Sequence, residues 1–489
     1  MKLILEGADC RYAVEQLMIT LFPEERHLWE LPEGASEDDI PEMKRVCHVR
    51  VRNGAQMISA EAQIVWGDRI ERGGSRVRRE NDAVRDGALE RYVVRRAVYR
   101  AALAFLPNVP EWGALSGVRP AKLGRLLIRE KGSSEAAVHA LMQGDFVSRE
   151  KAKLTVTCAE AALKVLETRE ARDFDVYIGI PFCPTRCAYC SFVSAATAAQ
   201  GKLIPAYVEK LIAELAQGAE LSHKLGLRLR TLYMGGGTPT TLSPEQLDRV
   251  LTAAEALGNP EEITVEAGRP DTIDAEKLAV LRAHGVGRVS VNPQTMNDEV
   301  LKRIGRRHTA QDIVDKMKLV RAAGFESVNM DLIAGLPGDT PESFANTLDR
   351  VMELEPENIT VHTFARKRGA TLFDTEQESP EILIEMLKTA REKLSGKYKP
   401  YYLYRQKYSG GSFENIGWTV PGHECFYNIS MMEELSTVLS FGAGAVTKLI
   451  APGVIRRVTH PKYAAEYLER ECKFNEIEDF FAEFPTDSK

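Results

Sequence analysis

The sequence predicts an α/β protein whose core is a parallel sheet of six βα units, preceded by an α+β region and followed by a less regular extension. From about residue 175 to 396, short β-branched runs alternate with longer amphipathic segments, the pattern of βα units laid side by side. The loops that follow the runs collect Gly, Pro, Cys and Thr. Two helix starts are marked by a side-chain cap before a proline, Ser243-Pro244 and Thr340-Pro341, which makes the loops ahead of them short and fixed.

The six strands are expected at 176–180, 230–234, 263–266, 288–291, 327–333 and 359–364. In parallel βα sheets the ligand site is built from loops at the carboxyl ends of the strands, so the residues just after each run should converge. Ahead of the core, 46–52 and 56–66 alternate polar and apolar residues around Asn53-Gly54, predicting a hairpin with a tight turn, and a helix is expected from about 81 to 106. The expected domains are an N-terminal α+β domain of unassigned role (1–165), the βα core (170–396) and a C-terminal region that completes the substrate site (397–489). That last region carries Tyr401, Tyr402 and Tyr404, then Gly442-Ala443-Gly444-Ala445.

With 489 residues, 44% of them hydrophobic, the chain is long enough for two or three cores. It opens on an apolar run too short for a signal peptide, and no stretch approaches the roughly 18 apolar residues of a membrane span, so no membrane partner and a cytoplasmic location are expected. Lys and Arg number 64 against 70 Asp and Glu, a net charge of -6, without the basic excess that a general nucleic-acid binder uses to displace counterions. Arg69, Arg72, Arg76, Arg78, Arg79, Arg95, Arg96 and Arg100 make the N-terminal part locally basic, which reads as solvated faces. Of the 8 cysteines, three crowd into one loop while Cys10, Cys47, Cys158, Cys425 and Cys472 are scattered, unlike a disulfide framework.

The crowded three are Cys183, Cys187 and Cys190, spaced C-x3-C-x2-C just beyond the first strand. Three thiolates on one loop can hold three irons of a cubane cluster, because soft sulfur ligands suit iron-sulfur clusters and the close spacing wraps the chain around one corner. The fourth iron is left open for S-adenosylmethionine (SAM), which can chelate it through its amino and carboxylate groups and receive the electron that breaks a carbon-sulfur bond. Structural zinc is the competing reading; it usually takes four protein ligands, and no fourth Cys or His follows within the loop. With Tyr189 just before the third cysteine, the spacing resembles the radical SAM superfamily signature.

The other strand-end loops carry the residues such a site needs. Gly235-Gly236-Gly237-Thr238-Pro239-Thr240 lets backbone groups approach a ligand, although a glycine run alone is more often a tight turn. Glu266 could accept hydrogen bonds from a ribose or an amine, against the alternative of a solvated loop carboxylate. Gln294 precedes the basic turn 301–308, where the planar fork of Arg306 suits a carboxylate while Arg303 and Arg307 read as surface charge. Asp331 interrupts an apolar strand and therefore needs a partner, a ligand or a neighbouring Arg. His308, His362 and His423 are given no role, since an isolated histidine is more often a packing residue.

Taken together, Tyr177-Ile178-Gly179-Ile180-Pro181-Phe182-Cys183, the Gly235-to-Thr240 run, Arg288-Val289-Ser290-Val291-Asn292-Pro293-Gln294, Ile304-Gly305-Arg306-Arg307-His308 and the segment 331–338 resemble the oxygen-independent coproporphyrinogen III oxidases, over about residues 175–450. The segments 112–120 and 401–407 are most similar to the HemZ-type branch. The resemblance implies an incomplete TIM-like barrel of six βα units, a 4Fe-4S cluster on the three cysteines, and SAM, with a second SAM left open. It implies that Tyr177, Gly236, Glu266 and Ala365 touch the SAM at the cluster, and that Tyr189, Gly237, Thr238, Gln294, Arg306 and Asp331 match positions used for SAM or for a second SAM. The implied reaction is oxidative decarboxylation of two propionates of coproporphyrinogen III, giving protoporphyrinogen IX in haem (porphyrin) biosynthesis, with a low-potential electron donor and an electron acceptor as partners.

A tetra-anionic tetrapyrrole needs cations, for which Arg306, Arg366, Lys367, Arg368, Arg405 and Lys407 are the candidates. The rival expectations are a haem-binding chaperone and a radical SAM enzyme acting on another tetrapyrrole. Chaperone relatives lack a further cysteine after the third, as here, where Ser191-Phe192 follows, but they carry a His-Asn-x-x-Tyr-Trp segment, and the nearest stretch here, 423–428, has a different order. Two further departures from the family pattern are Gly179 where His is common, and Asn292-Pro293 in place of Gly-Val.

Overall fold

The computed structural model describes residues 1–29, 44–80, 82–190, 195–365, 379–406 and 413–484. Two compact units account for the chain: Met1–Glu160 with Tyr404–Glu414, and Ala161–Leu403 with Asn415–Lys489.

In the first unit a four-stranded sheet runs Lys2–Glu6, Arg45–Asn53, Met57–Trp66, Arg69–Arg78 in that spatial order. The expected hairpin is its centre: Val46 faces Val65 and Val51 faces Ala60 in antiparallel register. Alternation buries Cys47, Val49, Val51, Ile58, Ala60, Ala62 and Ile64 in one cluster with Val93, Val94, Ala97, Val98 and Ala101 of the helix Ala83–Ala102, whose three- and four-residue spacing makes one helical face. Several of the basic residues here are internal fasteners: Arg79 Nε donates to Asp86 Oδ2 at 2.6 Å, Arg95 pairs with Asp145 at 3.5 Å, and Arg96 lies 4.5 Å from the Phe146 ring centroid.

The second unit holds the βα alternation. Its six expected strands form at Asp173–Ile180, Arg228–Gly236, Glu262–Val265, Arg288–Ser290, Ser327–Ala334 and Asn358–Thr363. Each is parallel to the next in chain order. Helices Ile204–Lys224, Pro244–Glu255, Ala275–Ala283, Ala310–Ala322, Pro341–Glu353 and Pro380–Leu394 follow them in turn. Ser243 and Thr340 cap their helices as expected, and Ser243 makes a full capping box with Gln246. Val176, Ile178, Leu232, Met234, Val265, Val289, Val328, Met330, Ile359 and Val361 are buried, as strands covered on both faces require.

The sheet does not close. Beyond the first strand lies Thr437–Phe441, parallel to it, then Val446–Ala451 and Val454–Thr459, antiparallel. Beyond the sixth lies Glu414–Thr419, antiparallel, and then Lys399–Arg405. The incomplete barrel is therefore one sheet of eleven strands, and the strands of the 397–489 region belong to that same sheet.

Candidate active site

The first strand runs into the cysteine loop, and three neighbours hold that loop. Gly237 N donates to Ile180 O at 2.7 Å and Thr238 N to Phe182 O at 2.8 Å, so the glycine-rich turn after the second strand is stitched to the loop entry. A Cβ on Gly237 would come within 2.6 Å of Phe182 O and 2.9 Å of Ile180 O. Gly237 is thus a close-approach glycine, whereas Gly236 has the positive φ of 107° that turns the strand. On the far side Ala188 N donates to Ile304 O at 3.0 Å, tying the loop to the turn that carries Arg306.

Two side chains donate toward the sulfurs. Thr238 Oγ1 lies 3.4 Å from Cys183 Sγ, and Arg269 Nη1 lies 3.7 Å from Cys187 Sγ. Arg269 is buried, forked onto Asp271 at 3.0 and 2.9 Å, and bonded to Thr185 Oγ1 at 2.9 Å, so its guanidinium is locked beside the loop. Such donors and positive charge suit thiolates that carry a cluster.

Two carboxyls lie near one another, Glu266 just past the third strand and Asp331 inside the fifth. Glu266 Oε1 accepts from Tyr233 OH at 2.6 Å, while Asp331 Oδ1 accepts from Asn329 Nδ2 at 2.8 Å and lies 3.8 Å from His362 Nε2. Burial and then the nearby Asp331 charge raise Glu266 to about 7, against hydrogen bonds from Tyr233 and Gly236. Asp331 is pushed up by burial too, but His362, Asn329 and Thr360 outweigh that and hold it below its ordinary value. Two neighbouring carboxyls driven apart in this way leave Asp331 ionised and Glu266 able to hold a proton near neutrality.

The folded value of Glu266 lies above its ordinary 4.5, so stability from its proton is complete below about 4.5 and is lost as pH rises through about 7. In the cluster-free, SAM-free chain, Glu266→Gln should therefore gain on the native protein by on the order of 3 kcal/mol between pH 4.5 and 8. Urea unfolding of both proteins across that range measures the gap; a gap that does not change with pH means that Glu266 is ionised when buried.

Arg306 is also buried; its Nη2 donates to Tyr189 OH at 2.9 Å and its Nη1 to Asn292 O at 3.4 Å. Burial disfavours its charge, but Tyr189 and Cys187 more than restore it. Among the described residues its buried Nε has no partner, a donor set for an incoming carboxylate. His308 alongside is driven down to about 4 by burial and by Arg306 and Arg269, and so stays neutral.

Asn292, one of the departures, earns its place here: it accepts from Asp331 N at 3.1 Å through its side chain and donates its own N to Gly268 O at 3.2 Å. Gln294 sits at φ 67°, with its backbone bonded to Asp331 O and Ile333 N at 2.9 Å. Gly179, the other departure, leaves room for the Gly442-Ala443 turn, since a Cβ there would lie 3.2 Å from Ala443 O.

The structure places Tyr177 and Asp331 within the first and fifth strands, Gly236 at the end of the second, and Glu266, Gln294 and Arg306 beyond the third and fourth, with Tyr189 on the cysteine loop and bonded to Arg306. Gly237 and Thr238 bond to the loop entry through their backbone N–H groups. Ala365 lies just past the sixth strand. Asp331 has no arginine partner among the described contacts; His362, given no role from sequence, is its neighbour. Arg405 is not free for a substrate: its guanidinium binds the Leu115 and Gly117 carbonyls, and burial lowers it to about 10. Arg366, Lys367, Arg368, Lys407, Ser191 and Phe192 lie outside the described residues.

Sequence reasoning missed Arg269, His362 and a stack of three tyrosines. Tyr233 lies 4.5 Å from Tyr427 and 6.3 Å from Tyr177, centroid to centroid, with interplanar angles of 21° and 17°. The sequence carries one signal, Tyr177 and Tyr233 each two residues before a glycine, Gly179 and Gly235, and the structure makes both pairs register partners.

Comparison with known proteins points the same way. Residues 177–351 match the model of the radical SAM superfamily. The chain is 38% identical over 375 residues to the oxygen-independent coproporphyrinogen-III oxidase-like protein HemZ of Bacillus subtilis (strain 168), covering 74% of each. It is 35% identical over 272 residues to the heme chaperone HemW of Lactococcus lactis, covering 55% of this chain and 68% of that one. Among solved structures, the coproporphyrinogen III oxidase HemN of Escherichia coli, a radical SAM enzyme, superposes with a TM-score of 0.51 at 26% identity, over 65% of this chain and 71% of that one.

Proposed function

We propose, from the premise that this chain belongs to the oxygen-independent coproporphyrinogen-III oxidase-like family of radical SAM oxidoreductases, that it decarboxylates coproporphyrinogen III oxidatively to protoporphyrinogen IX. The observation that supports the reading is a three-cysteine loop bonded to Arg306 through Tyr189 and to the glycine-rich turn, with Glu266 and the tyrosine stack on the neighbouring strands. When bound, a 4Fe-4S cluster and SAM supply the one-electron chemistry that removes hydrogen atoms from unactivated carbon. Each of two propionates loses one hydrogen atom, one carbon dioxide and one electron, leaving a vinyl group, so an electron acceptor completes the balance.

The chain's own residues bind and orient. Cys183, Cys187 and Cys190 hold the cluster, with Thr238 and Arg269 donating to the sulfurs. Ionised Asp331 and the Glu266 carboxyl accept from hydroxyls or an amine of SAM. Arg306 Nε donates to a carboxylate. Tyr177, Tyr233 and Tyr427 form an apolar wall that keeps water from the reacting centre.

The chaperone reading is weaker because the 423–428 stretch is already committed. His423 Nδ1 bonds Ser327 Oγ at 2.7 Å, Cys425 Sγ donates to Glu262 at 3.3 Å, and Tyr427 belongs to the stack. Anaerobic incubation of the reconstituted protein with coproporphyrinogen III, SAM, dithionite and an electron acceptor tests the choice. Protoporphyrinogen with release of two carbon dioxides per turnover is expected. Haem retained without decarboxylation, in a preparation that does cleave SAM to 5′-deoxyadenosine, would overturn it.

A further inference from the structure

Away from the strand-end site, three metal-type donors of different chemistry meet at one point of the second unit. Glu214 comes from the helix Ile204–Lys224, His460 follows the strand Val454–Thr459, and Cys472 precedes the helix Phe474–Glu483. A carboxylate oxygen, an imidazole nitrogen and a sulfur all lie within 4.8 Å of one another, the single such group of three among the described residues.

The two oxygens of Glu214 are divided between two tasks. Oε2 is held by Gly442 N at 3.0 Å and by the Tyr467 hydroxyl. Oε1 faces His460 Nε2 at 2.6 Å and Cys472 Sγ at 2.9 Å. A carboxylate fixed through one oxygen by an outer shell, and turned through the other toward imidazole and thiol, has the layout of a metal ligand. The space beside His460 and Cys472 is lined by apolar side chains, Phe441, Val458 and Ile477 among them, and by Ser440, Thr447 and Lys473. In that setting the His460 side chain is nine-tenths buried, and its Nδ1 has no partner among the described residues. Cys472 stays half-buried, which leaves a way in.

We infer that Glu214, His460 and Cys472 bind one divalent cation of the zinc class, with a water as fourth ligand. One sulfur, one nitrogen and one oxygen suit zinc and its neighbours in the transition series, and not magnesium or calcium, which take oxygens. Binding releases the thiol proton of Cys472 to solvent, so the cation's two charges meet one thiolate and one carboxylate and the ligand set is neutral. The donors must part by roughly 1 Å to admit the ion, a shift within reach of the half-buried Cys472 loop. Bound there, the cation clasps the last strand and the 470–473 segment to the helix Ile204–Lys224.

The competing account is a hydrogen-bond hub in which His460 and Cys472 merely donate to Glu214. Cys472→Ser separates the two, because a serine hydroxyl keeps the donor and loses the soft ligand. The full-length protein with its iron-sulfur cluster reconstituted would be dialysed against zinc sulfate and desalted, then assayed for zinc, iron and sulfide. About one zinc per chain is expected, falling about tenfold or more in Cys472→Ser and in His460→Ala, with iron and sulfide unchanged. Cobalt added to full-length protein carrying Cys183→Ala, Cys187→Ala and Cys190→Ala should give a near-ultraviolet thiolate-to-cobalt band that disappears on adding Cys472→Ser. Failure of the native chain to retain zinc, equal zinc in Cys472→Ser, or a cobalt band indifferent to Cys472 overturns the assignment.

Discussion

Anaerobically reconstituted protein carrying Cys183→Ala, Cys187→Ala and Cys190→Ala together should lose its iron, its sulfide and its brown absorbance, and with them all SAM cleavage. The effect should be all-or-none because the other cysteines stand far from the loop in sequence and none of them belongs to its C-x3-C-x2-C spacing. Cys10, Cys47, Cys158 and Cys425 are buried and lie elsewhere in the chain. Burial alone drives Cys47 up to about 12, so it stays a packed thiol, not a thiolate. Replacing these four by Ser or Ala should leave iron and sulfide per chain unchanged. The readout is iron and sulfide analysis with 5′-deoxyadenosine by chromatography; cluster content that survives the triple substitution would refute the ligand assignment.

The next largest effect comes from a single methyl group. Gly237→Ala places a Cβ against Phe182 O at 2.6 Å, Ile180 O at 2.9 Å and Phe182 N at 2.9 Å, all of them backbone atoms of the cysteine-loop entry. None of these can rotate away as a flexible side chain can, so the glycine-rich turn and the loop must separate. The bonds from Gly237 N to Ile180 O and from Thr238 N to Phe182 O lengthen together, and Thr238 is carried away from Cys183. Destabilisation of about 2 kcal/mol is expected for such overpacking, together with loss of most of the cluster on reconstitution. Gly396→Ala is the control, since a Cβ there meets nothing within 4 Å. Urea unfolding of the cluster-free chains and iron content of the reconstituted ones measure both effects. A Gly237→Ala protein that takes up the cluster as well as the Gly396→Ala control would mean that the stitch between turn and loop does not position the cysteines.

The order of the six core strands was legible in the sequence because a parallel strand covered on both faces needs a β-branched run, and the chain supplies six of them in spatial order. The three-cysteine spacing was legible for a similar reason: all its members lie on one loop, so their proximity is a matter of covalent geometry. The strands past residue 397 were less so. Glu414–Thr419 and Thr437–Phe441 enter the sheet at its opposite edges, and pairing at an edge depends on what the core leaves unpaired.

Within the candidate site, the sequence alone determined which residue types stand where along the chain: cysteines after the first strand, glycines after the second, Glu266, Gln294 and Arg306 beyond the third and fourth, and Asp331 within the fifth. Only the tertiary structure decided what those residues do for one another. It set Asp331 beside His362, not an arginine, used Arg405 to hold carbonyls, and locked Arg269 beside Cys187. It also drew Glu214, His460 and Cys472 to one point across 246 and 258 residues of chain. Local pattern reports what a strand or loop requires of its own residues; partnership between distant charged groups is fixed by burial, where each must find a counterpart at whatever sequence distance the packing allows.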